Sequence, residues 1–129
     1  FNNIKNGKDI YLDNGDLIQN HKLTFDAVAP KSYAFCSDTV FKPDIIPQIK
    51  GVDVIYHEST FLESEQHLCK RTKHSTAKQA ATIAKAAEAQ TLILGHYSTR
   101  YKSLEVFREE AFTVFTNTEL AEDGKVFEF

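Results

Sequence analysis

The sequence predicts an α/β fold built around a parallel sheet. From residue 31 onward, short apolar runs typical of strands alternate with stretches whose apolar residues recur at helical spacing. This alternation indicates βαβ units, in which the strands run parallel and the crossovers are right-handed. The apolar runs at residues 33–36, 52–56 and 92–94 are each followed within a few residues by Asp, His or Glu. Since strand ends hold side chains on rigid backbone, this edge of the sheet is the expected place for chemistry.

Short β segments are predicted in the first thirty residues. Residues 9–12 form a strand candidate, and Asn14 and Gly15 mark the turn that follows, because both tolerate positive φ. Residues 23–28 alternate apolar and polar side chains, which is typical of a half-buried strand. Pro30 then breaks the segment.

Strands and helices are predicted in turn over the rest of the chain. Further strands are expected at residues 31–37, 52–56, 91–95, 117–120 and 125–129. Helices are expected at residues 42–50, partly over 62–72, over 76–88 and over 103–115. Ser75 or Thr76 is the predicted N-cap of the alanine-rich helix, and Gly51 ends the helix before it. The chain, residues 1–129, is long enough for one domain.

Composition restricts the class of protein. The net charge of −3 does not fit a protein whose whole surface binds a polyanion, so any contact with a nucleic acid is expected to be local. Cys36 lies in an apolar run and is predicted to be buried, whereas Cys69 lies in a polar stretch and is predicted to be exposed. Their spacing suits reduced thiols in the cytoplasm. There is no apolar run long enough for a membrane span and no signal-peptide pattern.

Asp38 and His96 are candidate metal ligands because each follows a predicted strand. A carboxylate can bridge two cations, and imidazole is the commonest zinc ligand. Gly95 is expected to let the chain turn sharply, so that His96 points into a cleft. The plainer alternatives are an Asx-turn or N-cap role for Asp38 and a satisfied strand-end histidine for His96.

His74 and Glu58 are candidate acid–base residues. His74 precedes the alanine-rich helix, whose N-terminus favours a phosphate, and it could donate a proton or simply pack as an N′ residue. Glu58 could fix the tautomer of His74 or be a solvated loop acid. His57 is predicted to be structural. Arg100 could pair with a phosphate or with an acid such as Glu105.

Four separated motifs in this chain resemble those of the ribonuclease Z family. They are an Asp-Thr turn at Asp38, His57-Glu58-Ser59-Thr60 where the family has His-Glu-Ala-Thr, His74-Ser75-Thr76, and Gly95-His96-Tyr97-Ser98-Thr99-Arg100-Tyr101. The spacings of 36 residues from Asp38 to His74 and 58 from Asp38 to His96 are also similar to the family's. The resemblance runs from about residue 5 to residue 129.

The resemblance implies the C-terminal half of a zinc-dependent endoribonuclease that cleaves precursor tRNA at the 3′ end. The implied fold is half of the four-layer αββα sandwich of the metallo-β-lactamase superfamily. The implied cofactor is a pair of zinc ions, with Asp38 bridging them and His96 binding the second. The implied catalytic residues are His74, as proton donor to the leaving 3′ oxygen, and Glu58 beside it.

One part of the family pattern is absent from this chain. The His-x-His-x-Asp-His metal motif does not occur, so the chain is expected to be a fragment that is inactive alone and binds zinc weakly or not at all. A homodimer is expected, because apolar residues alternating along the strands would leave one sheet face uncovered. The alternatives are a non-catalytic structural half-domain, or another phosphodiesterase or an arylsulfatase of the same superfamily.

Overall fold

The computed structural model describes residues 30–129 together with the backbone of two short strands before them. Residues 1–30 and 31–129 form separate compact units. In the first unit, β1 (Ile10–Tyr11) pairs antiparallel with β2 (Leu17–Ile18). The predicted strand at residues 9–12 is therefore confirmed, whereas the turn at residues 13–16 and the strand at 23–28 lie outside the described residues. That the whole chain is a single domain stays a prediction.

The second unit is built on a four-stranded parallel sheet. Its strands are β3 (Tyr33–Cys36), β4 (Val54–Glu58), β5 (Thr91–Gly95) and β6 (Thr118–Leu120). Neighbours in the sheet are also neighbours in the chain, in the order β3-β4-β5-β6. The predicted parallel α/β architecture is confirmed, and the carboxyl ends of all four strands meet at one edge.

Helical segments connect the strands. They are a 3-10 turn at Pro43–Ile45 followed by α1 (Ile46–Ile49), a 3-10 segment at Glu63–Leu68 followed by α2 (Cys69–Thr72), α3 (Ala77–Ala86) and α4 (Glu105–Phe112). The helix predicted at 42–50 is divided into two short pieces, because Pro43 and Pro47 have no N–H to donate. Thr76 caps α3 in a capping box with Gln79, which decides between the two predicted caps.

The core lies between the helices and one face of the sheet. Alanines of α3 are fully buried against β4 and β5, and they allow the helix to approach the sheet closely. Phe107 of α4 is also fully buried, with the rings of Tyr97 and Tyr101 each 5.0 Å from its own. None of the helices in residues 30–129 is long and apolar enough to cross a membrane.

The predictions for the last five residues and for Cys69 are wrong. Residues 125–129 form no strand. After the turn at Gly124, these residues lie over the open face of the sheet, where the rings of Phe129 and Tyr33 have centroids 6.1 Å apart.

Cys69 is buried rather than exposed, because it occupies the inner side of α2. Burial, with nearby Glu58 adding to it, raises the pKa of the Cys69 thiol to about 11. Cys36 is buried, as predicted.

Candidate metal and catalytic site

Polar side chains from three strands converge at the carboxyl edge of the sheet. Asp38 lies two residues beyond β3, Glu58 is the last residue of β4, and His96 follows β5 directly. Both Asp38 and His96 have left-handed backbone, with φ of 49° and 58°. Such conformations are uncommon outside glycine and concentrate at functional sites.

Gly95 was predicted to let the chain turn sharply before His96, and this prediction is wrong. The left-handed turn is made by His96 itself, while Gly95 remains in β5. The need for glycine comes from packing: a Cβ at Gly95 would fall 2.5 Å from Cε2 of Tyr56. The ring of Tyr56 therefore lies directly on the strand that carries His96.

Asp38, His74 and His96 together form a possible metal site. One donor atom of each lies within 4.8 Å of the others. Nε2 of His96 is 3.5 Å from Oδ1 of Asp38, and two ligands of a tetrahedral zinc ion, each at about 2.1 Å, would lie about 3.4 Å apart. The Asp38 and His96 side chains are 72% and 46% exposed, so this edge is open to solvent and to further ligands.

His74 is placed beside this pair by the start of α3. The preceding residue, Lys73, ends α2 in the left-handed region with a φ of 62°. The His74 ring stacks on the ring of His96 with centroids 5.1 Å apart. Its Nδ1 lies 2.7 Å from Oε1 of Glu58. Its other nitrogen, Nε2, is the atom left to serve a substrate or an ion. The sequence did not indicate that His74 lies within ligand distance of Asp38 and His96.

Glu58 is the buried centre of the site. Its side chain is fully buried, which contradicts the alternative of a solvated loop acid. Its Oε1 accepts hydrogen bonds from the backbone N–H of Thr39 and from His74. Its Oε2 accepts from the N–H and hydroxyl of Thr60 and from the N–H of Ser75. These donors replace the water that a carboxylate loses on burial, and they tie three separate loops to one side chain.

The neighbouring residues are largely structural. His57 is buried on the helical side of the sheet, its Nδ1 is 2.7 Å from the Glu58 carbonyl oxygen, and burial lowers its pKa. Arg100 pairs with Glu65 at 3.4 Å rather than with the predicted Glu105. Glu65 belongs to the 3-10 segment, which the fold brings beside the loop after β5, whereas Glu105 pairs with Arg108 on α4.

Comparison with known proteins shows which proteins this chain resembles. No family model matches the chain. Ribonuclease Z of Parabacteroides distasonis is 50% identical over 121 residues, which are 94% of this chain and 40% of that protein. The predicted relationship to ribonuclease Z is confirmed. The chain spans about 40% of the length of the ribonuclease Z relative it matches.

Comparison with solved structures shows which known fold this chain shares. The metallo-β-lactamase fold protein YhfI from Bacillus subtilis superposes with a TM-score of 0.70 and 26% identity, covering 75% of this chain and 39% of YhfI. The short form of human tRNase Z superposes with a TM-score of 0.51 and 30% identity, covering 64% of this chain and 27% of that protein. The predicted fold class, part of the metallo-β-lactamase fold, is confirmed. The matched region is 39% of YhfI and 27% of the human protein, so this chain supplies only part of either fold.

Proposed function

We propose that this chain is the C-terminal part of a zinc-dependent endoribonuclease that cleaves precursor tRNA at the 3′ end. Similarity to ribonuclease Z over nearly the whole chain supports the assignment. The observation that carries it is the convergence of Asp38, His74 and His96 within 4.8 Å at the edge of the sheet. A structural half-domain without a catalytic role would have no need to bring these three side chains together.

The residues of this chain divide into two roles in the proposed reaction. Asp38 and His96 would hold zinc, which activates water and stabilises charge on the phosphate. His74 would give the proton on its Nε2 to the 3′ oxygen as the bond between phosphorus and that oxygen breaks. Glu58 would hold Nδ1 of the same ring, 2.7 Å away. The base that takes the proton of the attacking water, and the remaining zinc ligands, would lie outside this chain.

A chimaeric protein tests the proposed function. This chain would replace the matching segment of the Parabacteroides distasonis ribonuclease Z, whose other part completes the fold. We expect the chimaera to cleave a precursor tRNA at its 3′ end, and the same chimaera with Asp38→Ala to lose the activity. The 129-residue chain alone is expected to be inactive with added zinc. A folded, metal-containing chimaera that leaves the precursor intact would refute the proposal.

Zinc binding by the chain alone is expected to be weak. Only Asp38 and His96 are proposed as ligands, and two ligands do not complete the tetrahedral site of zinc. Both side chains are also exposed. Calorimetry at neutral pH should show weak binding or none, and any weak binding should disappear in His96→Ala but persist in the surface control His67→Ala. Sub-micromolar binding by the chain alone would contradict this expectation.

We also propose that the open face of the sheet makes the isolated chain dimerise. Phe35 is 64% exposed and stacks on Tyr56, and Tyr33 is 50% exposed. Some of the apolar residues that alternate along the strands were expected to be uncovered; among them, Leu92 and Leu94 are buried in the core. The exposed part of the face is thus centred on β3 and Tyr56, where a second copy could bury it.

Self-association can be measured by analytical ultracentrifugation over a concentration series. We expect the wild-type chain to pass from monomer to dimer and Phe35→Asp to remain monomeric. Phe112→Asp is the matched control, since Phe112 is similarly exposed but lies on α4. A wild-type chain that is monomeric at every concentration would rule the dimer out.

A further inference from the structure

The hydroxyl of Thr60 lies between the buried carboxylate and the exposed histidine of the site. Its Oγ1 is 2.9 Å from Oε2 of Glu58 and 2.9 Å from Nδ1 of His96. Thr60 itself is 7% exposed. In the sequence, Thr60 is distinguished only as the last residue of the His57-Glu58-Ser59-Thr60 motif.

The direction of these two hydrogen bonds follows from a count of protons. A threonine hydroxyl has one proton to donate. Oε2 of Glu58 also accepts hydrogen bonds from the backbone N–H groups of Thr60 and Ser75. This oxygen therefore acts as an acceptor and not as a donor. The Thr60 hydroxyl therefore donates to Glu58. The oxygen of the Thr60 hydroxyl can then only accept a hydrogen bond from His96. Nδ1 of His96 must therefore carry the proton.

We propose that Thr60 is a positioning residue that holds neutral His96 in the tautomer with its proton on Nδ1. The tautomer of an imidazole is set by the hydrogen bond that its other nitrogen makes. With the proton on Nδ1, the lone pair of Nε2 points toward Asp38, 3.5 Å away. This is the form that can bind a metal ion.

Thr60 is itself held in place. Its N–H donates to Oε2 of Glu58, and its carbonyl oxygen accepts from the N–H of Ser98, two residues beyond His96. The His96 ring is about half exposed, and its other contacts are the stacked ring of His74 and, at Nε2, the carboxylate of Asp38. The Thr60 hydroxyl is the side-chain group that bonds Nδ1 among the described residues.

A single carboxylate thereby sets both histidines. Glu58 accepts directly from Nδ1 of His74, and through the Thr60 hydroxyl it orients the Nδ1 proton of His96. Nε2 of His96 then lies beside Asp38, and Nε2 of His74 is the ring nitrogen that Glu58 does not bind. The two rings stack with their centroids 5.1 Å apart.

The tautomer can be read directly by NMR on the metal-free, 15N-labelled chain. Long-range spectra at mildly alkaline pH, above the ordinary imidazole pKa of about 6.5, distinguish the protonated ring nitrogen from the one with a lone pair. His96 is assigned from the signals missing in His96→Gln. We expect the proton on Nδ1 in the wild type, and a roughly fivefold to tenfold shift toward Nε2–H in Thr60→Val, the effect of about one hydrogen bond.

Two further variants separate the hydroxyl from general damage. Thr60→Ser keeps the hydroxyl and should keep the wild-type tautomer. Thr118→Val is the matched control, because Thr118 is buried but its hydroxyl donates to the Phe115 carbonyl oxygen, away from the site. The control should leave His96 unchanged.

Several results would overturn the inference. One is a wild-type His96 that carries its proton on Nε2, which is decisive even if Thr60→Val does not fold. Another is a folded Thr60→Val whose His96 tautomer is unchanged. Because the measurement needs neither zinc nor RNA, its failure is distinct from failure of the chimaera to cleave precursor tRNA.

Discussion

Replacing His74 with alanine in the chimaera is expected to lower turnover of precursor tRNA by about 10²–10⁴-fold, the usual contribution of a general acid. The reason lies in the pairing of His74 with Glu58. The buried carboxylate, 2.7 Å from Nδ1, holds the ring, and Nε2 is the nitrogen left to carry the proton that the reaction needs. Without the imidazole, the leaving 3′ oxygen would have to take its proton from water.

Metal analysis of the same variant decides between two roles for His74. As a general acid it can be removed without loss of metal, so the purified variant should contain as much zinc as the wild-type chimaera. Its donor atom lies within 4.8 Å of those of Asp38 and His96, so the geometry would also serve a ligand. Loss of one zinc ion per chain would make His74 a ligand. His67→Ala, at an exposed histidine, should change neither turnover nor metal content.

Replacing Glu58 with alanine is expected to destabilise the chain by about 3–5 kcal/mol, because the donors that end on its buried carboxylate would lose their acceptor. Five hydrogen bonds end on this carboxylate, and three of them come from backbone N–H groups at Thr39, Thr60 and Ser75. Each of these donors would lose its partner, and an unpaired buried donor costs about 1–3 kcal/mol. Small movements of the loops should let some of these donors bond to water, so the total loss of stability should be smaller than the sum of the individual costs.

Urea unfolding of the 129-residue chain measures this effect. Glu109→Ala is the matched control, since Glu109 is an exposed glutamate on α4 and should change stability by less than about 0.5 kcal/mol. Glu58→Gln keeps one carbonyl oxygen but turns an NH₂ group toward the remaining donors, so it should also be clearly destabilising. A Glu58→Ala chain as stable as the Glu109→Ala control would mean that the loops do not depend on the carboxylate.

Local patterns in the sequence were enough to predict the main elements of the second unit. The alanine stripe of α3 and its cap at Thr76 are properties of residues within one or two turns of each other. The strand at Thr91–Gly95 was predicted for the same reason, as a short apolar run between polar neighbours. Such signals depend on periodicity and capping, which act over a few residues.

Local sequence patterns gave wrong predictions where contacts with distant parts of the chain determine burial or conformation. Cys69 lies among polar residues in the sequence, yet the inner side of α2 buries it. Residues 125–129 have the composition of a strand, but the chain turns at Gly124 and lies on the sheet face instead. Nothing within a few residues of either segment shows which surface will cover it.

By itself, the sequence determined the parallel α/β class, the order of the elements and the resemblance to ribonuclease Z, because periodicity and motif order are written along the chain. Only the tertiary structure decided how the site is assembled. Thr60 and His96 are 36 residues apart, and they meet because β4 and β5 pair in parallel with Glu58 opposite Gly95. The burial of Glu58, and the hydrogen bonds that orient both histidines, exist only once that register brings the three strand ends together.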